Sequence, residues 1–343
     1  MSVTPIEPLA PHAPTSDPAS VGLRTRAAAI QRRFPVMQLL AIVILFEWGT
    51  WTVTDFATRS SIVSMLVSAA FLGLAGAGQT LVVLVGGIDF SAPAVISAAS
   101  IVISQLTGSD HWAFLPALFV CLLLATVAGA ISGYVSHRFR VQPLVVTIGM
   151  ASLLTGLVQV WTNGQETGSA PTFLTNLTAV SGHTFGIGIP PVVVIWAGVA
   201  ILLSVVLRRT LTGRRLYATG SNPVAAELAL VPTRRVWVST FAASAVLAAL
   251  LGVLLAGDAG SGNITLGDPY LFEGLAAVIV GGTAFGARGD YWRTVIGAIV
   301  LTVLTSVLIG KGYSNATQQI IFGLLILVVV AGYGREARMR DRV

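Results

Sequence analysis

Charge is scarce in this sequence. Asp, Glu, Lys and Arg make up 10% of the 343 residues and hydrophobic residues 55%. A soluble domain carries roughly 25% charged residues, so this balance points to a lipid-embedded chain. Lysine nearly vanishes. Lys311 lacks the glycine spacing and the following Ser or Thr of a phosphate loop, which excludes a Walker A ATPase site. Cysteine is limited to Cys121 inside an apolar run, which excludes an intrachain disulfide or a cysteine metal site and leaves packing as its role. His12, His111, His137 and His183 fall in four separate segments, so no metal cluster is expected. No Ser-His-Asp order and no paired catalytic carboxylates stand out, so neither an enzyme nor a cofactor is expected. The net charge of +6 comes from short clusters between apolar runs, not from a basic stripe with interleaved aromatics, and implies no nucleic-acid partner.

Long apolar runs, by contrast, are abundant. Residues 1–33 are rich in Pro, Ala, Ser and Thr and read as a disordered cytoplasmic tail. Arg24, Arg26, Arg32 and Arg33 precede the first run, from about Pro35 to Val53, read as a retained signal-anchor helix. Further runs occupy 60–86, 91–107, 113–136, 142–161, 191–207, 236–256, 268–287, 294–310 and 316–333. The expected fold is therefore all-α: a polytopic bundle of about ten transmembrane helices over 34–334, with a basic cytoplasmic tail at 335–343. A broken or discontinuous segment is expected near Gly86.

Ten spans with both termini inside agree with the distribution of positive charge. Eighteen of the twenty basic residues fall on the inside; Arg59 and Lys311 fall outside. Trp48 and Trp51, near the outer end of the first span, read as aromatic-belt anchors. Three sequons, at Asn176, Asn263 and Asn315, read as chance.

Three segments carry more information. The first runs from Gly78-Gln79-Thr80 to Gly86-Gly87-Ile88-Asp89-Phe90-Ser91. A carboxylate costs about 2.5–3.5 kcal/mol at a span's centre on insertion scales. Two glycines permit a sharp break, and Asp89 or Ser91 can cap the next helix. Two readings stay open: a plain turn at the inner surface, or a discontinuous helix lining a pathway through Gln79, Gly86, Gly87, Asp89 and Ser91. The second segment is Gly213-Arg214-Arg215-Leu216-Tyr217-Ala218-Thr219-Gly220-Ser221-Asn222-Pro223. Asn222 is a good N-cap and Pro223 suits the first helical position. The helix from Pro223 to Leu230 would be about 12 Å long, far short of a span. It has the shape needed to dock into a partner through Ala225, Ala226 and Glu227; an interfacial helix without a partner is the other reading. The third segment is Glu273 to Gly289. Small residues at Ala276, Ala277, Gly281 and Gly282 let helices approach closely. Glu273 is read equally as a substrate contact or a cap. Val82–Phe90 and Val278–Phe285 share aliphatics and then Gly-Gly, a match too short to establish an internal repeat.

Together these segments resemble the ribose-type permease family of bacterial ATP-binding-cassette sugar importers. Its G-Q-T…G-G-I-D-L-S signature is matched by Gly78, Gln79, Thr80, Gly86, Gly87, Ile88, Asp89 and Ser91. Its G-R-x-x-Y-A-x-G-x-N…A-A loop is matched by Gly213, Arg214, Tyr217, Ala218, Gly220, Asn222, Ala225 and Ala226. Its A-A…G-G-T…G-x-R-G segment is matched by Ala276, Ala277, Gly281, Gly282, Thr283, Gly286, Arg288 and Gly289, and Gln318-Gln319-Ile320-Ile321 resembles its last helix. Phe90 and Ala92-Pro93 depart from the pattern. The resemblance implies a permease subunit in the inner membrane that translocates a monosaccharide or related polyol. Its implied partners are a second permease, two ATPase subunits and an extracytoplasmic sugar-binding protein. The rival expectation is a stand-alone secondary transporter coupled through Asp89 or Glu273.

Overall fold

A computed structural model describes residues 35–166, 168–184, 186–283, 286 and 289–340. The expected tail over 1–33, the motif residue Arg288 and the last three residues lie outside the described residues. In chain order the helices are α1 (Val36–Thr52), α2 (Arg59–Val85), α3 (Ala92–Ser104, continued by a π-turn Gln105–Ser109), α4 (Phe114–Phe139), α5 (Pro143–Thr162), α6 (Thr172–Thr178), α7 (Pro191–Arg209), α8 (Leu211–Ser221), α9 (Pro223–Leu228), α10 (Thr233–Ala259), α11 (Tyr270–Val280), α12 (Tyr291–Gly310) and α13 (Asn315–Arg340). Among the described residues no β-strand forms; Thr184 and Ile187 make one isolated bridge.

Among the described residues, seven helices are long and apolar enough to cross a membrane: α2, α3 with its π-turn, α4, α5, α7, α10 and α12. Three more, Val36–Thr52, Tyr270–Val280 and Asn315–Leu327, are apolar but shorter. The run read as a span over 268–287 is helical only to Val280, because Gly281 and Gly282 end it. α13 continues beyond the expected span to Arg340. Two helices fall where the residue pattern carries no helical signal: α6, inside the longest polar connection, and α8, between α7 and the short helix α9.

α10 sits at the centre, packed against α4, α3, α2 and α6. Its position rests on small residues. A methyl group added at Gly129 of α4 would collide with the Phe241 carbonyl of α10. One added at Gly252 of α10 would collide with the Ile96 carbonyl of α3. Such close approach is how helices associate where lipid offers no hydrophobic driving force. Cys121 is buried, with its Sγ 3.8 Å from the Ala99 carbonyl, as a packing residue between α4 and α3. The outer faces of α1 and α5 are exposed and apolar, with Trp51 and Val160 among the most exposed side chains.

Candidate functional site

α2 ends in a Schellman-type cap. Gly86 adopts the left-handed conformation (φ 96°), and the Gly87 N–H donates to the Val82 carbonyl at 2.9 Å. The chain then crosses non-helically to Ala92. Within this stretch Gly86 is exposed, whereas Asp89 is only 1% exposed. Its Oδ1 accepts from the Ser91 N–H at 2.9 Å and from the Ser91 hydroxyl at 2.5 Å. Its Oδ2 accepts from Ser244 Oγ on α10 at 2.8 Å. The carboxylate therefore caps the start of α3 and pins the crossing to the middle of α10, with hydrogen bonds to both oxygens. Buried charge is tolerated only on such terms.

The surrounding groups hold the same crossing. Gln79 donates its amide to the Asp89 carbonyl at 2.6 Å, and its Oε1 accepts from the Asp89 N–H at 3.4 Å. Thr147 of α5 accepts from the Phe90 N–H at 3.1 Å. The first motif thus comes together: Gln79, Gly87, Asp89 and Ser91 are buried in one unit, and Gly86 turns the chain at its exposed edge. Sequence reading missed Ser244 and Thr147. Their available signal was an isolated hydroxyl in an apolar run.

The third motif meets the first at the end of α2, where the Gly286 N–H donates to the Val83 carbonyl at 3.3 Å. Glu273 is half-buried in the first turn of α11, and among the described residues no hydrogen bond joins it to Asp89. Gly281 packs so closely on α12 that an added methyl would meet the Arg293 carbonyl. Gly282 carries the left-handed conformation (φ 91°), and the Thr283 N–H donates to the Val278 carbonyl at 3.1 Å. The chain then reaches Asp290, whose carboxylate pairs with the Arg208 guanidinium at the end of α7. Tyr217 of α8 donates to the Gly289 carbonyl at 2.9 Å. Burial, and then the Asp290 carboxylate, push the Tyr217 hydroxyl up to about 12, so it remains a donor at neutral pH. Tyr291 donates to the Gly73 carbonyl at 2.7 Å and accepts from Trp196 at 3.1 Å, fixing α12 against α2 and α7.

The second motif forms two helices, not one. Thr210 caps α8 by accepting from the Gly213 N–H at 3.3 Å, and Gly213 lies tight against the Leu207 carbonyl. Arg214 is exposed, and Gly220 lies in the last turn. Asn222 caps α9, accepting from the Ala225 N–H at 3.0 Å, with Pro223 in the first position. Ala226 points inward at 4% exposure, whereas Ala225 and Glu227 are exposed. Glu227 Oε1 accepts from Thr233 Oγ1 at 2.9 Å, and that hydroxyl lies 3.1 Å from His137 Nε2. Thr233 and Ser244 are eleven residues apart on α10, about three turns, and so share one face.

Comparison with known proteins gives a consistent picture. A family model described as branched-chain amino acid transport system / permease component matches residues 61–330. A ribose import permease protein of Haemophilus influenzae is 30% identical over 301 residues, covering 87% of this chain and 93% of the relative. A fructose import permease protein of Rhizobium meliloti is 32% identical over 301 residues, covering 85% and 83%. A probable ABC transporter permease protein of Escherichia coli is 31% identical over 296 residues, covering 85% and 87%. No solved structure matches this chain. With seven helices fit to cross a membrane and the family model spanning most of its length, the chain belongs to the branched-chain amino acid transport system / permease component family and is a multi-pass membrane transport protein.

Proposed function

We propose that this chain is the membrane-spanning permease subunit of an ATP-binding-cassette importer for a monosaccharide or related small polyol. The observation that carries this reading is the end-to-end similarity to ribose and fructose import permeases, with more than four fifths of each chain covered. ATP hydrolysis then occurs in separate ATPase subunits. A second permease copy and an extracytoplasmic sugar-binding protein complete the assembly. The protein sits in the inner membrane with ten crossings: the seven long helices, α1, α13, and one crossing only partly helical, made by α11 together with the chain that leads into it. Both termini and the basic ends of α4, α7 and α10 are cytoplasmic, in keeping with positive charge inside.

Within this reading α8 and α9 form the ATPase-coupling region through Gly213, Arg214, Tyr217, Gly220, Asn222, Pro223, Ala225, Ala226 and Glu227. The crossing at Asp89 holds a discontinuity at membrane depth, and Glu273 with Gly281 and Gly282 borders the substrate path. Hydrogen bonds to both Asp89 oxygens favour a positioning role for this carboxylate over proton or ion coupling.

Uptake of labelled sugars by a deletion strain carrying this chain tests the reading. Uptake should require the cognate ATPase and cease with a hydrolysis-dead ATPase; uptake without any ATPase overturns it. Orientation is tested by labelling cysteines at exposed Ser181 and Ser221 with an impermeant maleimide in intact cells. Ser181→Cys should label and Ser221→Cys should not.

A further inference from the structure

We propose that the cleft between α9 and the α4–α5 turn receives an acidic segment of the cytoplasmic ATPase, with Arg138, Arg140 and Arg234 as its recognition groups; this rests on the permease reading above. The cleft has a volume of about 1030 Å³ and is walled by Arg138, Arg140 and Pro143 on one side and by Val224, Glu227 and Arg234 on the other. Among the described residues none of the three arginines has an ion-pair partner; Arg138 lies over the Phe139 ring at 5.8 Å. The one carboxylate in the wall, Glu227, is engaged by Thr233 and lies 3.9 Å from His137. Three exposed guanidiniums around one engaged carboxylate leave an unbalanced positive cleft. Its complement is acidic, and a volume of this size suits a peptide segment with several side chains better than a single phosphate.

Apolar side chains beside the cleft point the same way. Val224, Leu228 and Leu230 are 67%, 82% and 91% exposed. Leu230 holds the left-handed conformation (φ 58°), which a non-glycine residue seldom adopts. Exposed aliphatics beside arginines have the make-up of a protein interface, an apolar centre with a polar rim. The second wall matters as well. The α4–α5 turn leads directly to Thr147, which holds the Phe90 N–H in the Asp89 crossing. A segment wedged in this cleft touches both α9 and the element that braces the buried carboxylate.

The test is co-purification of the cognate ATPase with the full-length permease, co-expressed and reconstituted in nanodiscs with or without phosphatidylglycerol. Arg138→Glu/Arg140→Glu and, separately, Arg234→Glu should lower bound ATPase at least tenfold in both lipid compositions, because each reversal sets like charges against each other at the interface. Arg138→Lys should retain most binding, and Arg209→Glu, outside the cleft and equal in charge change to Arg234→Glu, should cost less than about twofold. Wild-type association should fall as salt is raised from 50 to 500 mM. Wild-type ATPase binding with undiminished binding by the cleft variants overturns the cleft assignment alone. A loss confined to phosphatidylglycerol nanodiscs reassigns the cleft to lipid headgroups and overturns it too. Failure of the wild-type permease to bind the ATPase overturns the permease reading itself. Membrane level and melting temperature of each variant serve as folding controls.

Discussion

The chain leaves a helix through a glycine pair twice, at Gly86-Gly87 and at Gly281-Gly282, and the two exits share one backbone device. In each, a left-handed glycine turns the chain and the next N–H reaches back five residues, to Val82 and to Val278 respectively. The register differs. The left-handed position is the first glycine in one pair and the second in the other, so aligning the glycines by sequence misaligns the turns by one residue. The two destinations differ as well. After Gly87 the chain enters an enclosed hydrogen-bond network around Asp89. After Gly282 it runs to an ion pair between Asp290 and the partly exposed Arg208. One backbone solution ends both helices, and the side chains beyond it decide whether the exit is a fixed interior joint or a link to the basic end of the bundle.

The largest expected effect is at the interior joint. Asp89→Ala removes the cap of α3 and leaves Ser244 unpaired at 0% exposure, costing about 3 kcal/mol. Melting of the detergent-solubilised protein should fall by several degrees and uptake should be lost, while the amount inserted in the membrane stays near wild type. Wild-type uptake would reduce Asp89 to a local cap.

The glycines sharpen the contrast. Gly281→Ala presses a methyl on the Arg293 backbone and should cost about 1–3 kcal/mol. Gly87→Ala meets Val82 Cγ1 at 3.1 Å and the Phe241 ring at 3.3 Å, side chains able to give, and should cost less than half as much. The reverse order in thermal melts would break the contrast in packing clearance between the two exits. Next, Arg208→Ala strips the partner from a largely buried Asp290 and should cost about 1–2 kcal/mol, more at low salt than at high. The smallest effect is expected from Tyr217→Phe, about 1 kcal/mol from the lost bond to the Gly289 carbonyl, with no change in uptake affinity.

Local chemistry is legible in the sequence where a single residue type decides the outcome. Asn222-Pro223 marks the start of α9, Gly86 marks the end of α2, and Cys121 reads as packing. Membrane character comes from the rarity of charge. Spans are less legible at 268–287, because apolar composition carries on past the glycine pair that stops the helix. α6 is hidden because Thr172–Thr178 has little apolar character of its own; Leu174 and Thr178 are buried by tertiary contact, with the Leu174 carbonyl against Gly257 of α10. α8 is hidden because its arginines and glycines read as loop. At the site, Asp89 and Gln79 are visible as polar residues in an apolar run. Ser244 and Thr147 are not, since serine and threonine in a span satisfy themselves on their own helix as often as they reach across. Of the chance sequons, Asn263 donates its amide to Glu166 at 2.8 Å and its Oδ1 accepts from Thr265, so this asparagine is spent on loop structure.

Thr233 and Ser244 give α10 a mechanical property. Each hydroxyl on this one face holds a carboxylate from a different part of the chain: Glu227 of the short basic-end helix at one level, and Asp89 of the interior crossing about 16 Å away at the other. A helix fastened at two levels along one side behaves as a keyed shaft. Turning it about its axis swings both hydroxyls off their acceptors in the same direction, and sliding it along its axis shears both bonds together. Only a swing about the line through the two anchors leaves both intact. A displacement of α9 that turns or slides α10 therefore loads the bond at Asp89 as well.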